Sequence, residues 1–149
     1  MAAENPCGLD GIEFIEFASR DRSILEHLMQ RSGMTLVARH KTKRLSLYRQ
    51  SQINFIINED PESFASGFCE AHGPSASATG FRVKNAQAAF DEAVKRGAKP
   101  FTDEKKKSGW AGLPAIYGIG DSLVYFVDRY PQAGNGEIYG TDWEWLVDE

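Results

Sequence analysis

Metal-ligating side chains are scarce in this chain, which has only 2 cysteines and 3 histidines in 149 residues. Cys7 and Cys69 stand far apart, with no second cysteine at the spacing of a redox pair or a zinc knuckle. That excludes a disulfide framework and a thiolate metal site, and suits a reducing compartment. His27, His40 and His72 are equally scattered, so no single helix or strand presents two imidazoles to one ion. Positive charge is not in excess either: 17 Lys and Arg stand against 21 Asp and Glu, a net charge of −4. This weighs against a protein that tracks a nucleic-acid backbone, whose affinity rests on neutralising phosphates. No segment approaches the roughly 20 apolar residues needed to cross a bilayer, and residues 1–10 lack the apolar core of a secretion signal. A cytoplasmic protein without a nucleic-acid or membrane partner is expected.

What is present is a pattern stated twice. An apolar content of 42% with 11% aromatics suits one folded domain over 1–149. Within it a strand, an amphipathic helix and further strands run through module one (about 11–59). They recur in module two (about 77–130), after a bridge at 60–76 and before a tail at 131–149. Ser19 and Asn85 stand where helix starts want a short capping side chain, and Gly33 and Gly97 where left-handed caps belong. In module one the spacing predicts strands over 12–17, 34–38, 45–49 and 53–58, the last three an antiparallel meander, with a helical stripe of Ile24, Leu25 and Leu28. His27 falls off that stripe into solvent. In module two Ala86, Ala89, Phe90, Ala93 and Val94 follow helical periodicity, and strands are expected near 99–103, 115–119 and 123–128. In the bridge Pro61 opens a helical turn carrying Phe64 and Phe68 on one face. Trp143 and Trp145 bring more apolar area than a free tail would expose, so the tail is expected to dock.

Side chains able to do chemistry are few. Glu13 and Glu16 lie an odd number apart on a strand, which sends them to opposite faces of the pleat and keeps them from sharing an ion. Each is expected to be an exposed or cross-strand-paired carboxylate. Cys69 has His72 three residues on but no orienting carboxylate and no nucleophile elbow, so a filler cysteine is the favoured reading. Gly118-x-Gly120 precedes a strand rather than a helix and fails as a dinucleotide fingerprint. Arg39, His40, Lys41, Lys43 and Arg44, and separately 105–107, read as solvated turns. The pocket candidates that remain are Glu13, Glu16, Tyr48 and His72, with no catalytic or metal-ligating residue assigned.

Four segments carry a resemblance: ENPCGLDGIEFIEFAS at 4–19, LYRQSQINFIINED at 47–60, EAHGPSASATGFRVKNAQAAFDEAVKRGA at 70–98 and LPAIYGIGDSLVYFVDRY at 113–130. Together they resemble the N-terminal domain of the 4-hydroxyphenylpyruvate dioxygenase family, within the vicinal oxygen chelate (glyoxalase/dioxygenase-like) superfamily. The resemblance implies an α+β fold of two βαβββ modules. It also implies an Fe(II) oxidoreductase of tyrosine breakdown that converts 4-hydroxyphenylpyruvate and O₂ to homogentisate and CO₂. In that family the iron ligands, two histidines and a glutamate, belong to the C-terminal domain, so none is carried onto this chain and no cofactor is expected in it. Trp143 and Trp145 would pack at the domain junction, whereas the lysine-rich stretch 103–109 departs from the family pattern.

Three readings follow. In the first, the chain is a non-catalytic N-terminal domain whose partner is the C-terminal catalytic domain or, failing that, a second copy. In the second it is a free-standing binder of a small aromatic oxo-acid, lined from among Phe14, Tyr48, Phe55, Phe81, Tyr125 and Phe126. In the third it is a divergent glyoxalase- or extradiol-type metalloenzyme, built across a dimer from His72 with Glu13 or Glu16.

Overall fold

A computed structural model describes residues 4–102 and 110–147. The elements run β1 (Leu9–Ala18), α1 (Ser23–Arg31), β2 (Thr35–His40), β3 (Leu45–Gln50), β4 (Ile53–Asn58), α2 (Phe64–His72), β5 (Ser75–Val83), α3 (Ala86–Lys95), β6 (Ala115–Tyr117), β7 (Leu123–Val127) and β8 (Trp143–Trp145). Short 3-10 turns at Ile119–Asp121 and Pro131–Ala133 flank β7. The class is α+β with parallel and antiparallel strand pairs. Two compact units are present, one of Met1–Glu13 with Thr79–Ile138 and one of Phe14–Ala78 with Tyr139–Glu149.

In the second unit the strands are hydrogen-bonded in the order β1-β4-β3-β2-β8. β1 and β4 run parallel, with Glu16 opposite Ile56, and the β2-β3-β4 meander is antiparallel, as its pattern predicts. Side chains alternate across a pleat, so Phe17, Phe55, Ile57 and Tyr48 form the face on which α1 packs through Leu25 and Met29. Burying two such side chains contributes about 1.5–3 kcal/mol each. Here the expected helical stripe needs correction: Ile24 and Leu28 are exposed. The chain makes a turn over 20–22 before the helix begins, so Leu25 and Met29 reach the core and Ile24 and Leu28 are rotated about 100° away. Ser19 accordingly does not cap; its hydroxyl donates to the Asp21 carbonyl, and Asp21 Oδ1 accepts from the Ser23 amide at 2.9 Å.

The bridge contains a helix, α2, of more than one turn. Ser63, not Pro61, supplies its N-cap by accepting from the Ser66 amide at 3.3 Å. Ala65 and Cys69 pack with Ala18, while Phe64, Phe68 and His72 stack along another face, with Phe68–His72 centroids 4.4 Å apart. Near the end of the described residues β8 pairs with β2, and Trp143 is buried against the rings of His40 and Tyr139. His40 is therefore half-buried rather than free in a turn.

In the first unit the order is β6-β7-β5, with β6 and β7 antiparallel. Asn85 caps α3 by accepting from the Ala88 amide at 2.8 Å, and Ala86, Ala89 and Phe126 close the core beneath the helix. The strand expected near 99–103 is reduced to a bridge between Pro100 and Ile116; position 103 lies outside the described residues, as does 105–107. Proline has no amide to give a ladder, which confines it to edges and bridges. Helices α1 and α3 end alike. Gly33 and Gly97 have φ of +77° and +104°, and in each case the glycine amide and its successor bond back to the last turn: Gly33 to Gln30 and Met34 to Met29, Gly97 to Val94 and Ala98 to Ala93. The repeat read from sequence thus reappears as shared hydrogen-bonding geometry.

Candidate functional site

On the face of the second unit opposite α1, the alternation that sends Ile57 inward under the helix sends Asn54, Ile56 and Asn58 the other way. Glu16 shares that face through its register with Ile56, and Leu47 and Arg49 share it through β3. Glu16, Asn54 and Asn58 are all buried. Asn58 Nδ2 donates to Glu16 Oε2 at 3.3 Å, while Asn58 Oδ1 accepts from the Asp60 amide at 2.9 Å and the Ser63 hydroxyl at 3.3 Å. Asn58 thereby joins β1, β4 and the start of α2. Arg49 Nε donates to Asn54 Oδ1 at 2.7 Å, and its guanidinium lies 5.5 Å from the Tyr139 ring centroid and 5.1 Å from that of Trp145. The tail is therefore clamped to β3 by two cation–π contacts.

Glu13 sits in the first unit, almost wholly buried, and takes a charge-assisted hydrogen bond from Arg82 Nε at 2.5 Å. The Arg82 guanidinium lies 5.0 Å from the Tyr130 ring centroid. Tyr130 in turn donates to Asp10 Oδ2 at 3.0 Å, and burial together with the Asp10 carboxylate pushes its phenol pKa up. Burial of a carboxylate is costly unless it is paired and hydrogen-bonded, and Arg82 supplies the cation that offsets the burial of Glu13.

Of the four pocket candidates, then, Glu13 is paired with Arg82 and Glu16 with Asn58, each across to another strand and neither exposed to solvent. Tyr48 belongs to the α1 core; its hydroxyl donates to Glu26 Oε1 at 3.4 Å, and burial, reinforced by Glu26, raises its pKa to about 12. His72 is exposed, with its ring against Phe68, while Cys69 turns inward. Each of the four sits among different partners. Among the described residues no three His, Cys, Asp or Glu side chains gather as a cation site, so the donor set does not fit a ferrous ion. Arg49, Asn54, Asn58, Arg82 and Tyr130 escape the sequence reading. The one signal for them is the period-2 placement of Asn54 and Asn58 within the apolar run of β4.

The chain matches the family model described as hydroxyphenylpyruvate dioxygenase, HPPD, N-terminal, over residues 3–144. It belongs to that family. Among relatives of this HPPD N-terminal domain is the protein MelA of Shewanella colwelliana, 45% identical over 147 residues, which are 98% of this chain and 41% of MelA. Another is the 4-hydroxyphenylpyruvate dioxygenase of Pseudomonas sp. (strain P.J. 874), 43% identical over 143 residues, covering 96% of this chain and 39% of that protein. A solved structure of a xylose isomerase-like TIM barrel/4-hydroxyphenylpyruvate dioxygenase fusion protein superposes with a TM-score of 0.79 at 35% identity, covering 92% of this chain and 21% of that one. The HPPD N-terminal domain seen here thus spans about two fifths of the length of the first two relatives. Its α+β architecture is that of the glyoxalase/dioxygenase-like proteins. Among the described residues no helix is long and apolar enough to cross a membrane.

Proposed function

We propose that this chain is the non-metal-binding N-terminal domain of a cytoplasmic 4-hydroxyphenylpyruvate dioxygenase of tyrosine catabolism. It acts as a scaffold for a C-terminal domain that holds Fe(II) and converts 4-hydroxyphenylpyruvate and O₂ to homogentisate and CO₂. One observation carries the reading. In a chain that matches this family from residue 3 to 144, the two candidate carboxylates are engaged with the fold, Glu13 with Arg82 and Glu16 with Asn58. The iron, when bound, supplies oxygen activation; nothing in the described donor set of this chain holds it. What this chain's own residues do is build two packed units and clamp the tail through Arg49, Trp143 and Trp145. The oxo-acid-binder reading has less support, because Tyr48 and Phe55 are spent under α1 and Phe126 under α3.

The test is iron content and homogentisate formation on the purified 149-residue chain. Neither stoichiometric iron nor turnover is expected. Turnover with one iron per chain would overturn the proposal.

A further inference from the structure

A second feature of the unit built from Phe14–Ala78 and Tyr139–Glu149 is independent of the buried carboxylates. The loop joining β2 to β3, which reads in the sequence as a solvated basic turn, folds beside the start of α1 and encloses a cleft of about 320 Å³. Arg22, Arg39, Lys43 and Arg44 bring four formal positive charges to its wall, against two negative charges from Asp21 and Glu59. Arg22 is itself engaged, paired with Glu26 at 3.1 Å as well as with Glu59, which leaves Arg39, Lys43 and Arg44 as the cations of the cleft. Glu59 is held by Arg22 at 3.7 Å and accepts from the Arg22 amide at 3.2 Å, and Asp21 accepts from the Ser23 amide.

The cations of the loop are not engaged: among the described residues Arg39, Lys43 and Arg44 form no ion pair, although Glu144 lies directly across from Arg39 on β8. His40 also lines the cleft. Its Nδ1 accepts from the backbone amides of Thr42 and Lys43 at 3.3 and 3.2 Å, so in the neutral ring the proton resides on Nε2. Burial pulls the His40 pKa down and favours that neutral form. The lining is otherwise polar, and its one aliphatic residue, Leu45, is buried in the fold.

We propose that this cleft is a binding site for a phosphate-bearing small molecule, with the phosphoryl group seated between Arg39, Lys43 and Arg44. Two guanidiniums and an ammonium offer more donors than the two oxygens of a carboxylate can use, and they suit the three terminal oxygens and near-double charge of a phosphoryl group. The volume lies at the small end of the range for metabolite pockets, large enough for a group beyond the phosphate itself.

Inorganic phosphate is the probe, titrated into the ¹⁵N-labelled chain with chloride at matched ionic strength as the control. Saturable amide shifts confined to residues 21–23, 39–46 and 59 are expected with phosphate and not with chloride. The exposed pair Arg39→Gln and Arg44→Gln should weaken phosphate binding at least tenfold while leaving Tm without phosphate unchanged, and Lys43→Gln should weaken it by a smaller factor. Equal shifts with chloride, shifts centred elsewhere, or unchanged affinity in the Arg39→Gln/Arg44→Gln protein would each overturn the proposal. If that protein does not fold, the mapping on the parent chain and the Lys43→Gln titration decide.

Discussion

Removing the guanidinium of Arg82 is the sharpest perturbation of this fold. The Glu13 side chain is 1% exposed and that of Arg82 11%, which places the pair with buried ion pairs and not with surface ones worth under about 1 kcal/mol. Arg82→Met keeps apolar contact over the Tyr130 ring but leaves the Glu13 carboxylate in the interior without its cation. Breaking a buried pair from one side costs about 3–5 kcal/mol, most of it the desolvation of the charge that remains. For a chain of this size that corresponds to a fall in Tm of roughly 6–20 °C. Urea unfolding measures the same loss directly, with the midpoint shifted and the slope unchanged. The double substitution Glu13→Gln and Arg82→Met removes both charges, and should recover most of the deficit because the buried carboxylate charge goes together with its cation. Refutation is equally direct. If Arg82→Met costs under about 1 kcal/mol, or if the double variant loses the sum of the two singles, then desolvation of Glu13 is not what makes Arg82 necessary.

Two further outcomes follow from local geometry. Alanine at Gly33 or Gly97 meets left-handed backbone of φ +77° or +104°, but only at Gly33 would the new Cβ also come within 2.9 Å of Gln50 Nε2. Both substitutions should destabilise by about 1–2 kcal/mol from the backbone alone, with Gly33→Ala the more costly on chemical denaturation; equal losses would show that Gln50 yields freely. Spectrophotometric titration of the phenols should find Tyr48 among the last to ionise, near pH 12. Because its folded pKa lies above the unfolded value near 10, the stability it contributes is complete below pH 10 and is lost as pH rises towards 12. A Tyr48→Phe protein whose alkaline unfolding matches the parent would show that Tyr48 does not drive that loss.

The helix starts show how far local chemistry reaches into this fold. Asn85 caps α3 where the sequence places it, since asparagine, the following alanines and Gly97 all favour the same local structure. Ser19 has the right side chain but the chain turns for three more residues before α1 begins, and tertiary packing of Leu25 and Met29 selects the start. The functional picture divides the same way. A shortage of imidazoles is visible in composition, whereas the partners of Glu13 and Glu16 are not, because Arg82 and Asn58 lie 69 and 42 residues away along the chain.

The repeat, the antiparallel meander and the α3 cap are legible in the sequence alone, because each rests on periodicity or a short-range hydrogen bond. Long-range packing settled which face of α1 is buried, and that Glu13 and Glu16 are interior groups on separate partners. It also decided that the cations of the β2–β3 loop and the start of α1 wall a single cleft. Those outcomes depend on strand register and long-range pairing, where the favourable term is set by which distant residues arrive together and not by the preference of any one of them.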